Sequence, residues 1–250
     1  SVFSLPEQLE EIDFLFRYVS NEFVISHKDR YPFYESLGKL KQLKSLSIFR
    51  NEDEGMGRHY FLGLFLLNLN TEVLEKLSIV LACGNERGIL SSSQKIFTVL
   101  WGMKNLKALT WCPPYETEPE YIDPALSELE ELKLNYQGAM AILNSFTLEK
   151  LRSLEIMILQ EIKVKGIYQI LNKLSDLQNL EVVKFSFEIA PICMLLKTLL
   201  QTCYAFPKIR KLEINFTQNS YLLEQDYIEI LASLPYNPHL LDVLTDKILT

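Results

Sequence analysis

Leu148-Glu149-Lys150-Leu151-Arg152-Ser153-Leu154-Glu155-Ile156 reads L-x-x-L-x-x-L-x-I. Its apolar residues fall three apart twice, then two apart. The last pair, Leu154 and Ile156, shares one face of a short strand, because side chains alternate along a strand. The two steps of three turn the chain into that strand. Such a strand buries little by itself and needs a neighbour on each side.

Copies return along the chain. They are Leu9-Glu-Glu-Ile12-Asp-Phe14, Leu40-Lys-Gln-Leu43-Lys-Ser-Leu46-Ser-Ile48, Leu74-Glu-Lys-Leu77-Ser-Ile79 and Met103-Lys-Asn-Leu106-Lys-Ala-Leu109-Thr-Trp111. Leu126-Ser-Glu-Leu129-Glu-Glu-Leu132-Lys-Leu134 follows, then the opening stretch, Leu177-Gln-Asn-Leu180-Glu-Val-Val183-Lys-Phe185 and Phe206-Pro-Lys-Ile209-Arg-Lys-Leu212-Glu-Ile214. The first strand anchors are Ile12, Leu46, Leu77, Leu109, Leu132, Leu154, Val183 and Leu212, at steps from 22 (Leu132 to Leu154) to 34 residues (Ile12 to Leu46). A recurring period in this range marks a stack of repeats.

The linkers read mostly as helices. Expected helices cover 54–70, 91–102, 138–146, 164–174, a stretch opening at Pro191, 222–234 and a last capping helix over 240–249. Ile167, Ile170, Leu171 and Leu174 show the helical spacing most clearly. Strand alternating with helix gives an α/β class: about eight repeats forming a solenoid, with a curved parallel sheet on the concave side and helices on the convex side. The whole of 1–250 is expected to be one domain of a longer chain, with a partial repeat in 1–36, repeats over 37–234 and a C-terminal cap over 235–250.

Hydrophobic residues make up 48% of the 250, enough for a continuous core. No apolar run approaches the ~20 residues of a membrane helix, so no membrane partner is expected. A net charge of −7 argues against nucleic acid, whose phosphates recruit clustered Lys and Arg. The four cysteines, Cys83, Cys112, Cys193 and Cys203, form no metal-binding spacing and read as free thiols in a reducing compartment, cytoplasmic or nuclear. The sequon at Asn215 lies in an expected strand and reads as coincidence. His27, His59 and His239 are far apart, and no phosphate-binding, zinc-protease or nucleophile-elbow motif occurs. The chain is therefore expected not to be an enzyme and to use no cofactor or metal.

Across its whole length the repeat resembles the leucine-rich repeat superfamily. The long steps are similar to its irregular ribonuclease-inhibitor-like and F-box-associated branches. The resemblance implies protein binding: the partner would be another protein or a neighbouring domain of the same chain, with oligomeric state left open. More specifically it implies substrate recognition for an F-box-type ubiquitin ligase adaptor. The alternative is the ligand-sensing or autoinhibitory domain of an intracellular NLR-type immune receptor of innate immunity. One departure from the family stands out. It places Asn or Cys three residues after the last strand anchor, and only Asn51 conforms; Ala82, Pro114, Gln137, Leu159, Glu188 and Thr217 do not.

Alternation assigns the partner-facing residues. Between the anchors lie Asp13, Ser47, Ser78, Thr110, Lys133, Glu155, Lys184 and Glu213, a wholly polar row whose last four members alternate in sign. It reads either as a self-neutralised ladder or as a polar docking strip. The next row, Leu15, Phe49, Val80, Cys112, Asn135, Met157, Ser186 and Asn215, begins with four apolar side chains expected to face solvent. Exposed apolar patches mark interfaces; burial under a loop or a neighbouring part of the chain is the other reading. The proline-rich acidic loop 112–124 carries Tyr115 and Tyr121, which are either binding anchors or packed back on the stack. Trp111, at an anchor position, reads as core.

Overall fold

The computed structural model describes residues 8–17, 38–51, 69–81, 100, 102–113, 126–158, 164–187, 193–204, 208–216 and 242–244. Eight strands fall on the eight copies: β1 Glu11–Arg17, β2 Ser45–Asn51, β3 Lys76–Leu81, β4 Ala108–Cys112, β5 Glu131–Asn135, β6 Ser153–Ile158, β7 Val182–Phe187 and β8 Lys211–Phe216. A ninth, β9 Asp242–Leu244, completes one sheet in strict chain order. Every pairing is parallel.

The register aligns the repeats. Ile12, Leu46, Leu77, Leu109, Leu132, Leu154, Val183 and Leu212 lie opposite one another in succession. From Leu46 onward they are 0–2% exposed. The second anchors, from Ile48 to Ile214, are buried with them, and Trp111 is core as expected.

The L-x-x-L half of the motif is a tight turn. Leu106 N–H donates to Met103 O, Leu129 to Leu126 O, Leu151 to Leu148 O and Leu180 to Leu177 O, at 3.1–3.3 Å. Bonds of this i→i+3 kind eclipse residues three apart, so each leucine stands above the one before it. The switch in spacing from three to two marks the point where turn becomes strand.

Three helices are described: α1 Tyr136–Ser145, α2 Val164–Leu174 and α3 Cys193–Tyr204. Their buried residues, among them Ile142, Ile167, Ile170, Leu171 and Leu199, join the strand anchors in one core. The helices therefore cover the anchor face, and the other face of the sheet is turned away from them. α2 has the expected bounds. α1 starts two residues earlier than expected, because Asn135 ends β5 and caps the helix at once, its Oδ1 accepting from Gly138 N–H at 2.8 Å. Close approach explains Gly166: a Cβ there would run into the Tyr136 hydroxyl, so α2 rests against the first residue of α1.

The expected capping helix over 240–249 is overturned where it can be seen. Asp242–Leu244 pairs with β8, placing Val243 opposite Leu212, so an apolar residue with a strand propensity extends the anchor row. The expected helices over 54–70, 91–102 and 222–234 lie almost wholly outside the described residues. Among the described residues no helix is long and apolar enough to cross a membrane.

Candidate functional site

The sheet face away from the helices carries three rows of side chains, and the middle one holds a run of alternating charges from Lys133 to Glu213. Lys133 Nζ pairs with Glu155 at 3.0 Å. Lys184 sits between Glu155 at 3.9 Å and Glu213 at 3.7 Å, and Lys211 contacts Glu213. Parallel strands in register bring these residues side by side roughly 4.8 Å apart, which lets one carboxylate face two ammonium groups. All five side chains are partly solvated, so each pair contributes about 0–1 kcal/mol at most.

The next row is apolar at its start. Phe49 is 40% exposed, one of two large hydrophobic residues this open among the described residues. The other is Tyr168 on α2, on the opposite side of the molecule, whose hydroxyl lies 3.4 Å from Thr198 Oγ1 of α3. Val80 lies opposite Phe49 and is half-buried; Met157 is also half-buried. Leu15 is in register with Phe49, and its side chain lies outside what is described. Tyr115 and Tyr121 also lie outside the described residues.

Cys112 departs from the expectation that it faces solvent: it is 2% exposed. The reason is its neighbour. Asn135, across from it on β5, is itself buried and is tied down on both sides, donating from Nδ2 to Pro113 O at 2.5 Å and accepting from Gly138 N–H. Strand alternation alone places solvent there; a packed polar knot occupies the place instead. Gly138 belongs to the same knot, since a Cβ would run into the Trp111 carbonyl. Burial pushes the Cys112 thiol from its ordinary 9.0 up to about 12, against a backbone hydrogen bond from Asn135 that pulls the other way.

A thiol held protonated is a poor nucleophile. Cys112 should therefore resist iodoacetamide at pH 8 in the native chain and react once the chain is unfolded in guanidinium. Peptide mapping after a timed pulse measures this. Reaction at the rate of a free cysteine in the native chain contradicts the burial. The sign of the accompanying pH dependence follows from the raised pKa. The folded state keeps the proton, so stability is full below pH 9 and falls as pH rises toward about 12.

A further row was readable in the sequence and escaped the pattern above. The residue just before each strand is, in order, Glu10, Lys44, Glu75, Lys107, Glu130, Arg152, Glu181 and Arg210. The sign alternates at every step. Lys44 pairs with Glu10 at 3.0 Å and Lys107 with Glu75 at 2.9 Å. These hydrogen bonds hold Lys44 and Lys107 above the usual lysine range and Glu75 below the usual carboxylate range. The signal stands two positions before the first anchor of each strand, just outside the strand itself. The groove along the first part of this edge, about 440 Å³, is lined by Glu10, Lys44, Glu75, Lys107, Val73 and Asn105.

Among the described residues no group of three or more His, Cys, Asp or Glu could hold a metal ion. The chain matches no protein-family model and no curated protein.

Proposed function

We propose that this chain is a protein-recognition domain of the leucine-rich repeat type, docking a polypeptide on the sheet face turned away from the helices. The observation that carries the reading is Phe49, an aromatic ring 40% exposed on a regular strand and in register with Val80. Apolar surface held open on a rigid sheet, with the polar row Asp13, Ser47, Ser78 and Thr110 alongside, has the composition of a binding face: an apolar centre and a polar rim. The repeat type is supported by the eight copies, six of them with the full L-x-x-L-x-x-L-x-apolar spacing, and by their parallel, in-register strands. A reducing, intracellular setting is supported by Cys112, a buried free thiol. Service as the substrate-recognition arm of an F-box-type ubiquitin ligase rests on the family resemblance.

Phe49→Asp and Val80→Asp, each made singly, should cut partner binding at least tenfold while leaving the far-ultraviolet circular dichroism unchanged. Affinity capture from cell extract, quantified by mass spectrometry against the native chain, measures it. Proteins retained equally by all three chains do not use this face, and a full set of such proteins removes the proposal. The ubiquitin-ligase reading fails by itself if a longer polypeptide containing this domain recovers no ligase adaptor subunit.

A further inference from the structure

Each strand entry after the first is tied to the repeat before it by a forked pair of hydrogen bonds. The carbonyl of Glu10 accepts from the N–H groups of Lys44 and Ser45, that of Lys44 from Glu75 and Lys76, and that of Glu75 from Lys107 and Ala108. The same fork recurs up to Arg210 and Lys211, which donate to Glu181 O. The corresponding N–H groups at the first entry, Glu10 and Glu11, have no such acceptor among the described residues. In a parallel ladder, alternate residues turn their amides to opposite neighbours. With Ser45 bonded to Glu10, the amides of Glu11 and Asp13 point away from β2.

The core is open at the same edge. Leu9 and Ile12 are only half-buried, whereas the residues that follow them in their two rows, Leu43 to Ile209 and Leu46 to Leu212, are 0–2% exposed. The alternating entry row opens there as well, and it opens with an anion. Glu10 has Lys44 on one side; one more step of the same alternation puts a cation on the other.

We propose that the outer edge of β1, on which no described strand lies, receives a parallel strand from a partner polypeptide, with the pattern basic–x–apolar–x–apolar and its basic residue beside Glu10. The backbone of that strand would accept from Glu10 and Glu11, and its two apolar residues would lie opposite Ile12 and Phe14, as Leu46 and Ile48 do on the other side. Strand addition of this kind takes its affinity from main-chain hydrogen bonds and its selectivity from side chains. A second copy of this chain fits poorly. Its far edge is β9, and the residue that precedes Asp242 in the sequence is the apolar Leu241 rather than a basic one.

The test uses the full chain and two fluorescein-labelled peptides. One has the sequence of residues 40–48, Leu-Lys-Gln-Leu-Lys-Ser-Leu-Ser-Ile, which carries the pattern; the other has Lys44→Glu. Fluorescence anisotropy gives their affinities and amide hydrogen exchange reports on Glu10 and Glu11. The native peptide should slow exchange at Glu11 and bind roughly threefold more tightly than its Lys44→Glu form, the ratio an exposed ion pair gives. Glu10→Lys in the protein should reverse the order of the two peptides. Phe49→Asp should leave both affinities unchanged, which separates this edge from the face proposed for the main partner. Equal binding of the two peptides, unprotected Glu11, or loss of peptide binding in Phe49→Asp would each overturn the proposal.

Discussion

Leu154→Ala should lower the unfolding free energy by about 2–5 kcal/mol. Leu154 is fully buried in the middle of the anchor row, with Leu132 on one side and Val183 on the other. Removing the isopropyl group beyond its Cβ leaves a void between three strands at once. The strands are pinned by their ladders and cannot close in, so the surrounding side chains relax only partly. The position adds a second consequence. Each repeat touches only its neighbours, so the stack holds together through a chain of nearest-neighbour interfaces. A cavity at β6 weakens the two interfaces that join β1–β5 to β7–β9. Urea unfolding should then show a reduced midpoint and a shallower slope, as the two halves begin to melt apart. A loss under about 1 kcal/mol with an unchanged slope would mean that the row does not couple the repeats.

Asn135→Ala should cost about 2–4 kcal/mol, a large effect for a side chain with no apolar bulk. The side chain performs two tasks. Its oxygen caps α1 through Gly138 N–H, and loss of such a cap costs about 0.5–2 kcal/mol. Its amide satisfies Pro113 O, 22 residues earlier in the chain, and a buried acceptor left bare costs about 1–3 kcal/mol. Asn135→Asp separates the two tasks. The carboxylate keeps the cap and loses the donor, and it turns an anion toward a carbonyl oxygen. If the bridge to Pro113 matters, Asn135→Asp should be at least as unstable as Asn135→Ala. If only the cap matters, Asn135→Asp should be close to the native chain. Thermal melts of the three proteins decide between these outcomes, and exchange at the Gly138 amide reports directly on the cap.

The asparagine looked for three residues after the last anchor is absent from this repeat, where Gln137 stands. The residue that ties one repeat to the next is Asn135, one residue after Leu134. α1 follows β5 without a connecting turn, so the chain leaves the sheet two residues early and the bridging amide moves with it. This is the shortest step in the stack, 22 residues from Leu132 to Leu154, and it has no room for a longer turn.

The eight repeats, the parallel sheet and the polar middle row were all legible from the spacing of leucines, because burial of one face imposes a period that survives in the sequence. The alternating entry row, Glu10 to Arg210, was equally legible once aligned on the anchors, since each member stands at a constant offset. What could not be read was anything set by contact between different repeats. Cys112 has the same offset as Phe49 and a quite different environment, because Asn135, the next member of its row, is itself buried and is hydrogen-bonded to the neighbouring Pro113. The sequence alone determined which side chains face the core, since that depends only on local period. Tertiary structure decided which of the remaining side chains meet water, because exposure depends on what neighbouring segments happen to cover.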